Sequence, residues 1–273
     1  MPFETKNDVL AWYESQERTL TPDFVGSIPW TEVARYELDP KFLPVLLYMR
    51  DVESLTDMYH REMARTPTGR DPVISKFMER WATEELTHAE VLDRFLNEAG
   101  YPTDAKWSRQ VHRAVSYGYR VNNYLIGWLA NAIGRSFTAT HMTFGAVHEM
   151  STAQGYRRLM KLAGHPVLTH ILEAIIREES AHTQFYRNIA KIELRDDPLA
   201  QRMTRWVIEN YWKPVGQGSV HKARTNEMVR TLFGSPDGIA AFDKAVTQRV
   251  RQLPGFDGMT QISDKLQRIA VVT

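Results

Sequence analysis

The 273-residue sequence predicts an all-α fold. Three observations carry that expectation. Strand signatures are scarce, whereas apolar residues recur at helical spacing through most of the chain. Proline and glycine stand where helices would start and stop, as in Asp71-Pro72, Gly100-Tyr101-Pro102 and Gly164-His165-Pro166. Finally, the unit Glu84-Glu85-Leu86-Thr87-His88 returns as Glu178-Glu179-Ser180-Ala181-His182, each copy preceded at a similar distance by a lone glutamate, Glu53 or Glu149.

Taken in order, Asn7-Asp8 can cap a first amphipathic helix, and Thr19 to Pro29, with Pro22 and Pro29, reads as an extended connection. Pro40 opens a helix to about Arg65, stopped by Thr66-Pro67-Thr68-Gly69. Asp71-Pro72 starts another that runs to about Ala99. Two shorter helices, Asp104–Tyr117 and Asn122–Ile133, carry the chain to a second long pair, from about Arg135 to Ala163 and from Pro166 to about Leu194. Downstream, Trp206–Trp212, Asn226–Phe233 and Ile239–Leu253 read as outer helices. With no Pro/Gly/Ser-rich linker, one domain is expected: an N-terminal extension (1–38), a core (about 39–194) and outer C-terminal helices (about 198–273).

A formal charge of +1 gives no bulk electrostatic case for nucleic acid, so an acidic partner would need a local basic patch. Cysteine is absent, which excludes disulfides and thiolate ligands and leaves carboxylate and imidazole to bind any metal. The polar start lacks the basic-then-apolar pattern of a secretory signal, so a cytoplasmic location is expected. The most apolar window, Tyr124 to Ile133, is too short to span a bilayer and is expected to be a core helix.

At helical pitch, residues i and i+3 share a face, so Glu85 with His88 and Glu179 with His182 can each reach one metal ion, with Glu53 and Glu149 completing a dinuclear site. The chain has two Glu-Glu pairs, and both are followed by histidine at the same spacing, a coincidence expected by chance about once in a thousand. Four carboxylates carry −4 and two divalent ions +4, whereas an empty cluster of buried acids would be costly. Oxygen-rich ligation with one imidazole per ion favours two iron ions, with manganese as the alternative. Glu84 and Glu178 adjoin the ligands, and cross-pairing of Glu178 with His88 and Glu84 with His182 would supply the outer carboxylates that metal-bound imidazoles use. His60, His141 and His148 could also approach the site.

The layout, a helix with one glutamate followed by a helix with E-E-x-x-H, given twice, resembles ferritin-like di-iron proteins with a four-helix bundle core. More closely, Trp81-Ala-Thr-Glu-Glu-Leu-Thr-His88 resembles the W-T-A-E-E-N-R-H of the soluble acyl-[acyl-carrier-protein] desaturases, and Tyr59-His-Arg-Glu-Met-Ala64 their Y-H-R-E-I-A. Glu149-Met150-Ser151-Thr152 is similar to their E-x-x-T, whose threonine adjoins the oxygen-binding side of the cluster. The resemblance implies that Thr152 takes that catalytic role and that Glu53 is the first ligand. It further implies an O2-dependent oxidoreductase that places a cis double bond in an acyl chain on acyl-carrier protein, with electrons from a ferredoxin-type donor. A homodimer is expected.

Departures from the family pattern bear on electron entry. The segment Thr19 to Trp30 lacks the first tryptophan of K-P-W-N-P-x-D-Y-I-P-W, and Glu178 stands where the family has aspartate. The alternatives are therefore a non-catalytic or electron-transfer-impaired acyl-carrier-binding homologue, or another di-iron oxidase or oxygenase. For the acidic carrier, two basic runs offer docking sites: Lys213, Lys222, Arg224 and Arg230, and Arg157, Arg158 and Lys161.

Overall fold

The computed structural model describes residues 3–271, with the side chain of Arg135 left aside, and contains no β-strand among them. The chain is all-α. Helix α1 (Lys6–Glu14) is capped by Thr5, whose hydroxyl accepts from the Asp8 N–H while the Asp8 carboxylate accepts from the Thr5 N–H. The cap is thus two residues before Asn7, and Asp8 serves from inside the first turn as the reciprocal partner. The segment expected to be extended holds a short helix, α2 (Pro22–Ser27), because Thr21 caps it and Pro22 occupies its first turn.

Past two short 3-10 turns lies α3 (Leu43–Glu53). The continuous helix expected from Pro40 to Arg65 is broken at Ser54-Leu55, and α4 (Thr56–Met63) resumes after it. At the break the Ser54 hydroxyl donates to the Asp51 carbonyl, and Leu55 N–H reaches Val52 in a tighter turn. Asp71 caps the long helix α5 (Pro72–Glu98). Then come α6 (Trp107–Ala114), α7 (Tyr117–Ile133), α8 (Phe137–Ala163) and α9 (Pro166–Leu194). Between the last two, Gly164 at φ +59° supplies the left-handed turn, and His165 Nδ1 accepts from Leu168 N–H.

The outer layer is α10 (Pro198–Tyr211), α11 (Lys222–Phe233), α12 (Pro236–Phe242), a π turn leading into α13 (Gln248–Val250), and α14 (Gln261–Ala270). Residues beyond Gly255 therefore carry a helix too.

Helices α3 and α5 pack as one pair and α8 and α9 as another, with α5 against α9 and α1 lying across both. Phe77 of α5 stacks on Phe185 of α9 at 3.8 Å between ring centres, and Tyr13 of α1 meets Phe77 edge-on. Gly145 lets α8 approach α9, since a Cβ there would stand 2.4 Å from the Tyr186 ring. Helices α10, α11 and the α12–π turn segment cover the opposite side of α8.

One expectation is overturned. The apolar segment Tyr124–Ile133 is not a core helix: Tyr124 is 71% exposed, Leu125 57% and Trp128 67%, and Ala130 is the residue of α7 that is buried. Its hydrophobic run has no intrachain face to cover it, and composition alone cannot separate a core helix from one that awaits a partner. No helix among the described residues is long and apolar enough to cross a membrane.

Candidate metal centre

Glu53 ends α3, Glu85 and His88 lie on α5, Glu149 on α8, and Glu179 and His182 on α9. The fold brings all six together. Two overlapping groups form, Glu53–Glu85–His88–Glu179 and Glu85–Glu149–Glu179–His182; within each, the potential ligand atoms lie within 4.8 Å of one another. Glu85 and Glu179 belong to both groups. The sequence pairs each glutamate with its own histidine, and the structure adds that these two carboxylates are shared.

The histidines divide their nitrogens between two shells. His88 Nε2 lies 2.9 Å from Glu178 Oε2, and His182 Nε2 lies 2.8 Å from Glu84 Oε2, each across the α5–α9 interface. Their Nδ1 atoms face inward: His88 Nδ1 is 3.4 Å from Glu85 and from Glu179, and His182 Nδ1 is 3.0 Å from Glu85. These inward atoms are misaligned for hydrogen bonding. His88 Nδ1, His182 Nδ1, Glu85 Oε1 and both Glu179 oxygens are buried without a partner. Five orphaned polar atoms around one point are costly unless a cation satisfies them, so the donor set fits a pair of divalent ions.

Electrostatics agree with that fit. Burial, reinforced by Glu85, pushes the Glu53 carboxyl well up, and burial with Glu85 and Glu149 does the same to Glu179. Burial opposes ionisation of Glu85 as well, but Glu53 and the two imidazoles outweigh it and hold that carboxyl low. Both imidazoles are raised well above their ordinary range: burial disfavours their charge, and the surrounding carboxylates overcome it. Protons thus stand in where cations would neutralise the cluster.

The outer carboxylates are themselves held. Glu178 Oε1 accepts from the backbone N–H of Thr19 at 2.7 Å and of Leu20 at 2.9 Å. Glu84 accepts from the Tyr13 hydroxyl at 2.7 Å and from Arg80 Nε at 2.8 Å, with Arg18 Nε 3.4 Å away. Burial would raise the Glu84 carboxyl, yet His182, Arg80 and Tyr13 hold it at about 2. Counting back from Pro22, Leu20 stands where the resembling segment has its first tryptophan, and its main chain makes the contact to Glu178.

Sequence reasoning missed Tyr13, Arg80, Tyr156 and the contact of Trp81. The Tyr156 hydroxyl donates to Glu53 Oε1 at 2.5 Å and Trp81 Nε1 to Glu149 Oε1 at 3.1 Å. The other candidate histidines stay out of the cluster. His141 Nδ1 contacts the Thr68 hydroxyl, His148 packs edge-on against Phe144, and burial lowers both imidazoles to about 4.

Thr152 follows Glu149 by one turn and lines a cavity together with Glu53. It is walled by Met49, Val52, Trp212, Val229 and Phe242 among others, from α3, α8 and the outer helices. Its lining is apolar except near the centre.

The two expected docking runs are largely consumed by the fold. Arg224 pairs with Asp51 at 2.7 Å, buried Arg158 with Asp237 at 2.8 Å, and Arg230 donates to the Ile269 carbonyl. Lys213 and Lys222 remain exposed. Among the described residues Arg157, Arg187, Lys191 and Arg249 make no ion pair, and burial together with the charge of Arg249 lowers the pKa of Arg157 and Arg187. Folding gathers this basic group from three elements, which no run in the sequence shows.

No curated protein matches the chain. A family model described as fatty acid desaturase matches residues 52–207, a span that holds every residue of the two donor groups and Thr152. Through that match the chain belongs to the fatty acid desaturase family.

Proposed function

We propose that this chain is a di-iron desaturase that introduces a cis double bond into an acyl chain presented on acyl-carrier protein, within a single ferritin-like domain. The carrying observation is the pair of donor groups with five partnerless buried atoms, sharing Glu85 and Glu179 and standing at one end of an apolar cavity. In this reading Glu53, Glu85, His88, Glu149, Glu179 and His182 hold two Fe2+ ions, and bound iron would supply the O2-derived oxidising power that an unactivated C–H bond requires.

The chain's own residues do the rest. The apolar walls bind the acyl chain extended and exclude water, so that two adjacent methylenes come to rest beside Thr152 and Glu53. The Thr152 hydroxyl can hold or pass a proton at the cavity side. Glu84 and Glu178 keep the outer nitrogens of His182 and His88 engaged and so fix which ring nitrogen faces inward. Overall, one O2, two electrons from a ferredoxin-type donor and two protons are consumed with the two hydrogens of the acyl chain, and two waters leave.

Iron-loaded protein given acyl-carrier proteins of several chain lengths, ferredoxin, reductase and O2 should yield an unsaturated chain by mass spectrometry. No product at any length, with two irons per chain present, would refute the reading. The alternative, a carrier-binding homologue with impaired electron entry, is favoured by Leu20 at the tryptophan position. It predicts product in a single turnover after chemical reduction and none with ferredoxin.

A second copy of the chain is the proposed cover for α7. Eight of its large hydrophobic side chains are exposed, enough for a patch of several hundred Å², the scale one partner contributes to a stable interface. Leu125→Arg with Trp128→Arg should convert a dimer to a monomer in sedimentation. A wild-type monomer would refute this part alone.

A further inference from the structure

The four central carboxylates are of two kinds. Glu85 and Glu179 serve both donor groups, and three of their four oxygens have no hydrogen-bond partner. Glu53 and Glu149 serve one group each, and each has one oxygen engaged by an aromatic donor from a different helix. Tyr156 of α8 donates to Glu53 Oε1 at 2.5 Å, the length of a charge-assisted O–H···O bond, and Trp81 of α5 donates to Glu149 Oε1 at 3.1 Å.

Tyr156 is fully buried, so water cannot compete for its hydroxyl. Glu53 has particular need of such an anchor. It is the last residue of α3, and the helix breaks at Ser54-Leu55, so no following turn of the same helix braces its side chain. A carboxylate with one oxygen tied by a strong hydrogen bond is held in one orientation.

We propose that Tyr156 is a positioning residue that holds the Glu53 carboxylate in place at the centre, and that Trp81 does the same for Glu149. The inference rests on the two-metal reading of the cluster. It explains why the unshared carboxylates have one oxygen tied and the shared ones do not. Glu53 and Thr152 line the cavity, so the carboxylate that Tyr156 holds is the one nearest to where an acyl chain would lie.

The test is an anaerobic titration of metal-free protein with Co(II), followed by the visible ligand-field bands. Wild-type protein should bind two Co(II) per chain. Tyr156→Phe keeps the ring and removes the donor. One of the two affinities should fall about 10- to 100-fold, as when other outer-shell partners are lost, and the bands of that site should shift as Glu53 loses its fixed orientation. Trp81→Phe should weaken the other site, and the melting temperature of the metal-free protein should change little in either. Wild-type affinities and bands in Tyr156→Phe would overturn the proposal, as would a lower melting temperature with unchanged Co(II) binding, the signature of packing alone. Should Tyr156→Phe fail to fold, 3-fluorotyrosine at position 156 keeps the shape and strengthens the donor. The bands of one site must then shift, and no shift overturns the proposal. A wild-type protein that binds no Co(II) would instead remove the two-metal reading, and this inference with it.

Discussion

Gly155 offers a direct way to interrogate the cavity. It lies on α8 one turn after Thr152 and lines the cavity wall, and a Cβ built there would stand 3.1 Å from Met49 Cε and 3.9 Å from Leu232 Cδ1. The first is the mobile end of a methionine, so alanine requires a shift of a few tenths of an ångström. Leucine places three further carbons beyond that Cβ, and the cavity is the space open to them. Helix α8 itself should gain about 1 kcal/mol from loss of a mid-helix glycine, so the fold is not at risk on that account. If three carbons displace about three methylenes of bound chain, at about 0.8 kcal/mol each, binding of the longest substrates loses about 2.4 kcal/mol. That corresponds to about 50-fold in kcat/KM.

The expected outcome is therefore a changed profile. Gly155→Leu should lose about 50-fold on the longest acyl chain that wild type accepts and little on chains about three carbons shorter, with iron content unchanged. Desaturation rates across a series of acyl-carrier substrates, with metal analysis in parallel, measure this. A uniform loss at every length, or an unaltered profile, would show that the cavity does not hold the acyl chain.

Three further outcomes follow from the same geometry. Glu85→Ala should lower iron stoichiometry further than His182→Ala, since Glu85 serves both donor groups, while Glu84→Ala and Glu178→Ala should retain metal with about 10- to 100-fold weaker binding or activity; metal analysis after dialysis reads both. Thr152→Val should keep metal near wild-type levels yet uncouple O2 consumption from product, measured with an oxygen electrode beside product analysis. Reversing Arg187 and Arg249 together should raise KM for the acyl-carrier substrate and flatten its salt dependence with kcat little changed, whereas Arg224→Glu, its partner Asp51 already in place, should act on stability instead.

The two donor groups were legible because the spacing within their pairs is local. Two glutamate–histidine pairs at i and i+3 declare a shared helical face whatever the tertiary arrangement, and so do the flanking Glu84 and Glu178. What sequence could not provide is long-range. Tyr156 meets Glu53 across 103 residues, Trp81 meets Glu149 across 68, and Leu20 N–H meets Glu178 across 158. No periodicity encodes such pairs. The basic runs misled for a related reason: Arg158 and Arg224 find carboxylates on distant segments, while the group around Arg187 is assembled from α8, α9 and α13. Helix α7 shows the limit of composition, since its apolar run is real and its burial is not. The break after Glu53 was hidden because Ser54 and Leu55 are ordinary helix residues, and their turn is set by packing around the centre.

The contacts of Tyr13, Thr19 and Leu20 also bear on how the centre is made. These residues precede the carboxylates that they hold, on α5 and α9, by 71 to 159 residues. Closing a loop of that length is slow compared with forming a helical hairpin such as α8–α9. Until it closes, Glu84 and Glu178 lack donors that hold them against the imidazoles, which are then oriented less firmly. In the two-metal reading, metal capture then waits on the closing of these contacts, which protects partly folded chains from trapping an ion at an open site.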